Sequence, residues 1–234
     1  MTRRATLVAL MIAVTGGACS GSDTTISPPN PQTTAVLGPT STTSTSTIPT
    51  TSTTELVVSE APSGFQEFGG AEVGFTMWVP EGWVTLGGED FDPEAIAEAL
   101  GDSFDPDTFQ MVESAFAGGG LLFSLNPVSV DEFHNNINVI QSPPSGLTAQ
   151  DLVDPTVSYF EDNLGATQVE AAVVEVAAGE AVRVSYLFPQ IGNEGVIYQV
   201  VTEDATWIVT FSAGDINAIG FDISELIDSF QPIP

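Results

Sequence analysis

His134 is the only histidine in the chain, so any imidazole base would have to be that residue. Nucleophilic catalysis also needs a recognisable setting, and neither a G-x-S-x-G elbow nor a D-[ST]-G turn occurs. His134 follows Asp131 and Glu132 at the start of an alternating apolar run, which fits a strand entrance better than a catalytic post. One histidine with carboxylates alone makes a poor zinc shell. Eight carboxylates crowd between Glu89 and Asp107 and offer the hard oxygens that Ca2+ prefers. Helix capping accounts for their spacing better: Asp92 and Asp105 each precede a proline, at the cap and first position of a helix, and acids suit a first turn. No D-x-[DN]-x-[DN]-G loop is present. Arg183 alternates with Val182 and Val184 and therefore points to the opposite face of a strand. Its simplest role is pairing with Glu170 or Glu175; the functional one is anchoring an anionic ligand beneath a helix. These residues predict a protein that is not an enzyme, with no catalytic residues, no cofactor and no resident metal.

Charge excludes further classes. The 234 residues carry 31 acids against 3 arginines and no lysine, a formal charge of -28. Nothing here neutralises a run of phosphates, so nucleic acid is excluded as a partner. A P-loop, a lysine Schiff base and a polybasic membrane patch all need the missing lysine. A single cysteine excludes an intramolecular disulfide and cysteine-built metal sites.

That cysteine carries information. Arg3 and Arg4 precede an apolar run from Ala5 to Val14, then Thr15-Gly16-Gly17-Ala18-Cys19, the layout of a secretory signal peptide over residues 1–18. Ten apolar residues are too few to span a bilayer core of roughly 30 Å. The segment resembles a bacterial lipobox, in which the residue after the cut is a cysteine that receives a diacylglycerol. The resemblance implies lipidation at Cys19 and an extracytoplasmic protein held to the outer face of the cell membrane. Acyl chains contribute about 0.8 kcal/mol per buried methylene, enough for anchoring without protein in the membrane. From Ser20 to Thr54, 25 of 35 residues are Ser, Thr or Pro, none is aromatic, and a disordered stalk is expected.

Residues 55–234 read as one globular head. Ala71 to Val79 predicts a strand ending at Pro80, with a turn at Glu81-Gly82 and a return from Trp83 to Leu86. Helices are expected after Asp92 and Asp105. Strands follow at Leu121–Asn126 and Asn136–Gln141. A third helical region opens at the cap Thr148, with Leu147 reaching Leu152 and a kink at Pro155 or a restart there with Asp154 as a second cap. Four β-rich runs, Gln168–Ala177, Glu180–Phe188, Val196–Thr202 and Thr206–Ser212, predict an antiparallel meander. Ile219, Ile223, Leu226, Ile227 and Phe230 mark a closing amphipathic helix. The expected class is α+β: an α/β/α sandwich with a central antiparallel sheet flanked by helices. Trp78, Trp83 and Trp207 are expected in the core, with Trp83 the most exposed.

The stretch Gly74-Phe75-Thr76-Met77-Trp78-Val79-Pro80-Glu81-Gly82-Trp83 resembles the hairpin that opens PsbP/Mog1-like domains. Phe133-His134-Asn135-Asn136-Ile137-Asn138-Val139-Ile140 is similar to a middle strand of that superfamily. Trp207 to Phe211, followed by a helix into Asp228-Ser229-Phe230, resembles its ending. The likeness spans roughly residues 65–232 and, among lipoproteins, is nearest to the LpqN-like branch of high-GC Gram-positive bacteria. It implies a partner-binding or assembly factor with no shared catalytic residue. The expected function is a cell-surface lipoprotein whose acidic head binds another envelope protein or component. The alternative is a small-ligand carrier or hydrolase with a pocket between sheet and helices.

Overall fold

Alternation at Val182, Val184, Tyr186 and Phe188, and at Trp207, Val209 and Phe211, produces strands buried on both faces against different partners. The computed structural model describes residues 61–87, 120–129 and 133–233. Its elements are β1 (Phe65–Gly70), β2 (Phe75–Pro80), β3 (Val84–Gly87), β4 (Gly120–Leu125), β5 (Asn136–Ser142), α1 (Ala149–Ser158), β6 (Thr167–Val176), β7 (Gly179–Phe188), β8 (Asn193–Val201), β9 (Thr206–Ala213), α2 (Ile223–Asp228) and β10 (Gln231–Pro232). Seven strands form one antiparallel sheet in the order β3-β4-β5-β9-β8-β7-β6, and three form a second in the order β1-β2-β10. The expected meander from β6 to β9 is present, and the class is α+β.

One face of the seven-stranded sheet carries Ile137, Val139, Val196, Tyr198, Trp207, Val209 and Phe211. It packs against Phe75, Met77 and Val79 of β2 and against Leu226 and Ile227 of α2. Here Phe75, Trp207 and Phe230 form a triangle, with ring centroids 5.7, 5.5 and 5.6 Å apart. Over the other face lies α1, with Ala149 on Val182 and Val184, and with Phe160 on Tyr186 and Phe188. Helices therefore cover both faces, and the small sheet shares its layer with α2.

Two expectations need correcting. The turn at Glu81-Gly82 does not fold β3 back onto β2. β2 pairs with β1 and β10, while β3 pairs with β4 in the large sheet. Alternation identifies a strand but says nothing about its neighbour, and here the chain changes sheets through three residues. The helix at Thr148 does not restart at Pro155 with Asp154 as a new cap either. Thr148 and Asp151 make a reciprocal capping box, and α1 runs through Pro155 before widening into a π turn at Tyr159–Asn163. Proline forfeits one ladder bond. Burial of Ala149, Thr156 and Phe160 on one side of the helical segment offsets that loss. Leu147 remains 44% exposed at the start of the helix.

The closing helix is shorter than its apolar pattern. A 3-10 turn at Ile216–Ala218 buries none of its residues, and α2 begins only after the cap Asp222. The signal peptide, Cys19, the stalk, the acidic run from Glu89 to Asp107 with its two helix starts, and Asp131 with Glu132 lie outside the described residues. Among the described residues no helix is long and apolar enough to cross a membrane.

The aromatic triangle yields a stability prediction. Phe230 is fully buried in it, so Phe230→Ala should cost about 3–5 kcal/mol, read from urea unfolding midpoints at unchanged slope. A loss under 1 kcal/mol would show that the two sheets do not depend on this contact.

Candidate functional site

Two surfaces carry polar chemistry, one on each face of the large sheet. The first is a groove of about 160 Å3 lined by Pro62, Phe65, Trp78, Phe221, Asp222 and Glu225. Antiparallel pairing of β1 with β2 sets Phe65 opposite Pro80, two steps along from the Glu67–Trp78 pair and so on the same face. Phe221 arrives from the loop before α2 and meets Phe65 edge-on at 6.0 Å and Trp83 at 5.8 Å. Trp78 and Trp83 are each half-buried, so the aromatic floor remains open to solvent.

Carboxylates line the same groove. Asp222 caps α2 by accepting from Ser224 N at 2.8 Å and Ser224 Oγ at 2.6 Å. The Ser224 hydroxyl and then its backbone N–H hold the Asp222 carboxyl below the ordinary carboxylate range, so it is ionised at neutral pH. Glu225 adds a second acid in the first turn. The helix is moored to β2, since Trp78 N donates to Ser229 Oγ at 2.9 Å and that hydroxyl donates to Leu226 O at 2.6 Å. Aromatic faces beside ionised carboxylates form a receptor for a cation.

Arg183 stands on the same sheet face as Tyr198, its directly opposite partner. Burial raises the Tyr198 phenol, Arg183 pulls it down, and Asp228 and Asp222 push it up again. Of the carboxylates expected beside Arg183, Glu175 lies opposite Glu180 on the other face, whereas Glu170 shares the face of Arg183. Strand parity decides this: 183 and 175 face opposite ways because 183 pairs with 172. Asp228 accepts from Ala177 N at 3.1 Å, so the end of α2 also grips the β6–β7 turn.

The second surface lies on the α1 side of the sheet and is buried. Asn136 and Asn138 of β5 stand opposite Ser212 and Thr210 of β9, and Gln199 of β8 accepts from Thr156 Oγ1 of α1 at 3.1 Å. Each of these side chains is less than a tenth exposed. Next to Ser212 on β8 is Gly195, where a Cβ would overlap the Tyr186 ring. That gap lets Tyr186 reach across β8 and hydrogen-bond Ser212 two strands away. Burial pushes the Tyr186 phenol up to about 12, opposed by the Ser212 bond. The Asn136 and Asn138 side-chain oxygens have no partner among the described residues.

His134 is buried at the entrance of β5, with Nδ1 2.8 Å from Asn126 O. A carbonyl can only accept, so Nδ1 carries the proton. Its own backbone carbonyl accepts from Asn136 Nδ2 at 3.2 Å, and the contacts tie the β4–β5 connection together. No cluster of three or more metal-ligating side chains occurs among the described residues. The groove was missed in the sequence because Phe65 and Phe221 lie at opposite ends of the head. The buried polar row had a visible signal in Asn136 and Asn138, two amides at period 2 inside an apolar strand.

No family model matches the chain, and no curated protein matches it. Among solved structures it is similar to the solution structure of cyanobacterial PsbP (CyanoP) from Synechocystis sp. PCC 6803. That match has 13% identity and a TM-score of 0.45, covering 74% of this chain and 94% of that one.

Tyr186 supplies a pH prediction. Its folded pKa is raised above the usual phenol value of 10.0, so its contribution is complete below pH 10 and is lost as pH rises toward about 12. Tyr186→Phe should lose about 1 kcal/mol at pH 7 with the Ser212 bond. Its urea stability should then fall less steeply than the wild type's between pH 10 and 12. Parallel curves for the two proteins would contradict the assignment.

Proposed function

We propose that this chain is a non-enzymatic, lipid-anchored binding module of the cell envelope, whose acidic head receives a cationic group of another envelope component. The observation that carries the reading is the groove, with Phe65, Trp78 and Phe221 beside Glu225 and the ionised Asp222. The net charge of -28 draws cationic partners toward the head and repels anionic polymers. The gap between α1 and the sheet is filled by Phe160, Tyr186 and Phe188, which favours surface recognition over an internal cargo site there. Anchoring at Cys19 and kinship with LpqN-like lipoproteins belong to the same proposal and rest on the sequence motifs.

A small-ligand carrier is the second reading. The buried, unpartnered Asn136 and Asn138 oxygens support it, since they would accept from a ligand's hydroxyl or amine donors.

The groove is tested with acetyl-Gly-Arg-Gly-amide, using the uncharged citrulline peptide as control and the indole N–H signals as readout. The arginine peptide should move the Trp78 signal and the citrulline peptide should not. Glu225→Gln should weaken the response about threefold, in line with roughly 0.2–1 kcal/mol for an exposed ion pair. Equal shifts from both peptides would sink the reading. For the anchor, mass spectrometry of the membrane fraction should find Cys19 acylated, and Cys19→Ala should shed the protein into the medium.

A further inference from the structure

β6 is the outermost strand of the large sheet, and among the described residues nothing pairs with its outer edge. Sheets with open edges usually blunt them with short strands, proline, lysine or bulges. The opposite edge strand, β3, has 4 residues, whereas β6 has 10, with no proline and no lysine. Its one irregularity is a register shift between Thr167 and Glu170, where Gln168 takes a left-handed φ of 54°. Beyond the shift, Glu170 to Val176 pair with β7 in unbroken register, so their outward backbone groups form a regular seven-residue edge.

The surroundings of this edge have a definite chemistry. On one face, half-buried Val169, Ala171 and Val173 pack with half-buried Leu152 and Val153 of α1, leaving an apolar shelf along the strand. Glu170, Glu175 and the neighbouring Glu180 of β7 are exposed, one glutamate on one face and two on the other. Among the described residues the one arginine, Arg183, sits inboard on β7 opposite Tyr198 of β8 and makes no ion pair with Glu170 or Glu175. An added strand therefore finds free backbone groups, an apolar strip on the α1 side and uncompensated carboxylates on both sides.

We infer that the outer edge of β6 binds an extended segment of a partner protein by strand addition, a segment with apolar side chains toward α1 and lysine or arginine alternating with them. Backbone pairing supplies affinity and the alternate side chains supply selectivity. Only the sign of the partner's charge is shared with the proposed function; the edge is remote in sequence from the groove and stands without it.

The test titrates the full chain with acetyl-(Val-Lys)4-amide by calorimetry. Acetyl-(Val-Glu)4-amide serves as the charge control. Two N-methylated forms, one methylated on every valine and one on every lysine, block the donors of one strand edge each. The Val-Lys peptide should bind and the Val-Glu peptide should not, and one methylated form should bind at least tenfold more weakly. The exposed double variant Glu170→Lys/Glu175→Lys should weaken the Val-Lys peptide at least fivefold and admit the Val-Glu peptide. N-methylation addresses backbone pairing alone and the indole signals report the groove, so failure of the edge and failure of the groove can be told apart. Two results would overturn the inference. One is that both methylated forms bind like the parent, which means diffuse charge holds the peptide. The other is a sedimenting dimer of the chain that the double variant dissolves, which gives the edge to a second copy.

Discussion

Contact between the rings of Phe75, Trp207 and Phe230 holds the two sheets of the head together. The three come from β2, from β9 and from the residue after α2, and are at most 3% exposed. Because β2 is the central strand of the small sheet, fixing Phe75 fixes β1 and β10 on either side. Because β9 is the central strand of the large one, Trp207 places the triangle at mid-sheet. Aromatic pairs at these separations add about 0.5–1.5 kcal/mol each beyond the area they bury. The groove is a by-product of this docking. Phe65 and Trp78 reach Phe221 because β2 and α2 have already been drawn to the same face.

How much of this was legible beforehand differs by element. Strands β4 to β9 were readable within a residue or two at most ends, because each has at least one face against apolar neighbours and the signal is long. The cap at Thr148 was readable because its chemistry is local: a hydroxyl and an acid three residues apart. β1 and β10 were missed. One is broken by Gly69 and Gly70, and the other has 2 residues, so neither shows a period. Pro155 misled because local cost was weighed without the tertiary contacts of Ala149, Thr156 and Phe160. Gly195 stands inside strand β8. Its function is spatial, clearing a path for a tyrosine hydroxyl across a strand, and no local pattern encodes that.

Electrostatics in the head is organised by scarcity. With 31 acids in the chain, a carboxylate at any one place says little, and the informative facts are where cations are absent and where acids are already used. Asp151 and Asp222 are occupied as caps, and hydroxyl and backbone donors from Thr148 and Ser224 hold them below the usual range. Asp228 is occupied by the β6–β7 turn. Glu170, Glu175 and Glu225 show no such engagement, and they stand beside the open strand edge and the aromatic groove.

The change of sheet at Glu81–Trp83 has a mechanical meaning. Traction applied at Ala61 reaches β1 first, and β1 belongs to the small sheet alone. Traction would strip β1 from β2 while the seven-stranded slab, joined to β2 through three residues, keeps its own ladder. The change of sheet thus lets β1 part from β2 without breaking a single pairing of the large sheet.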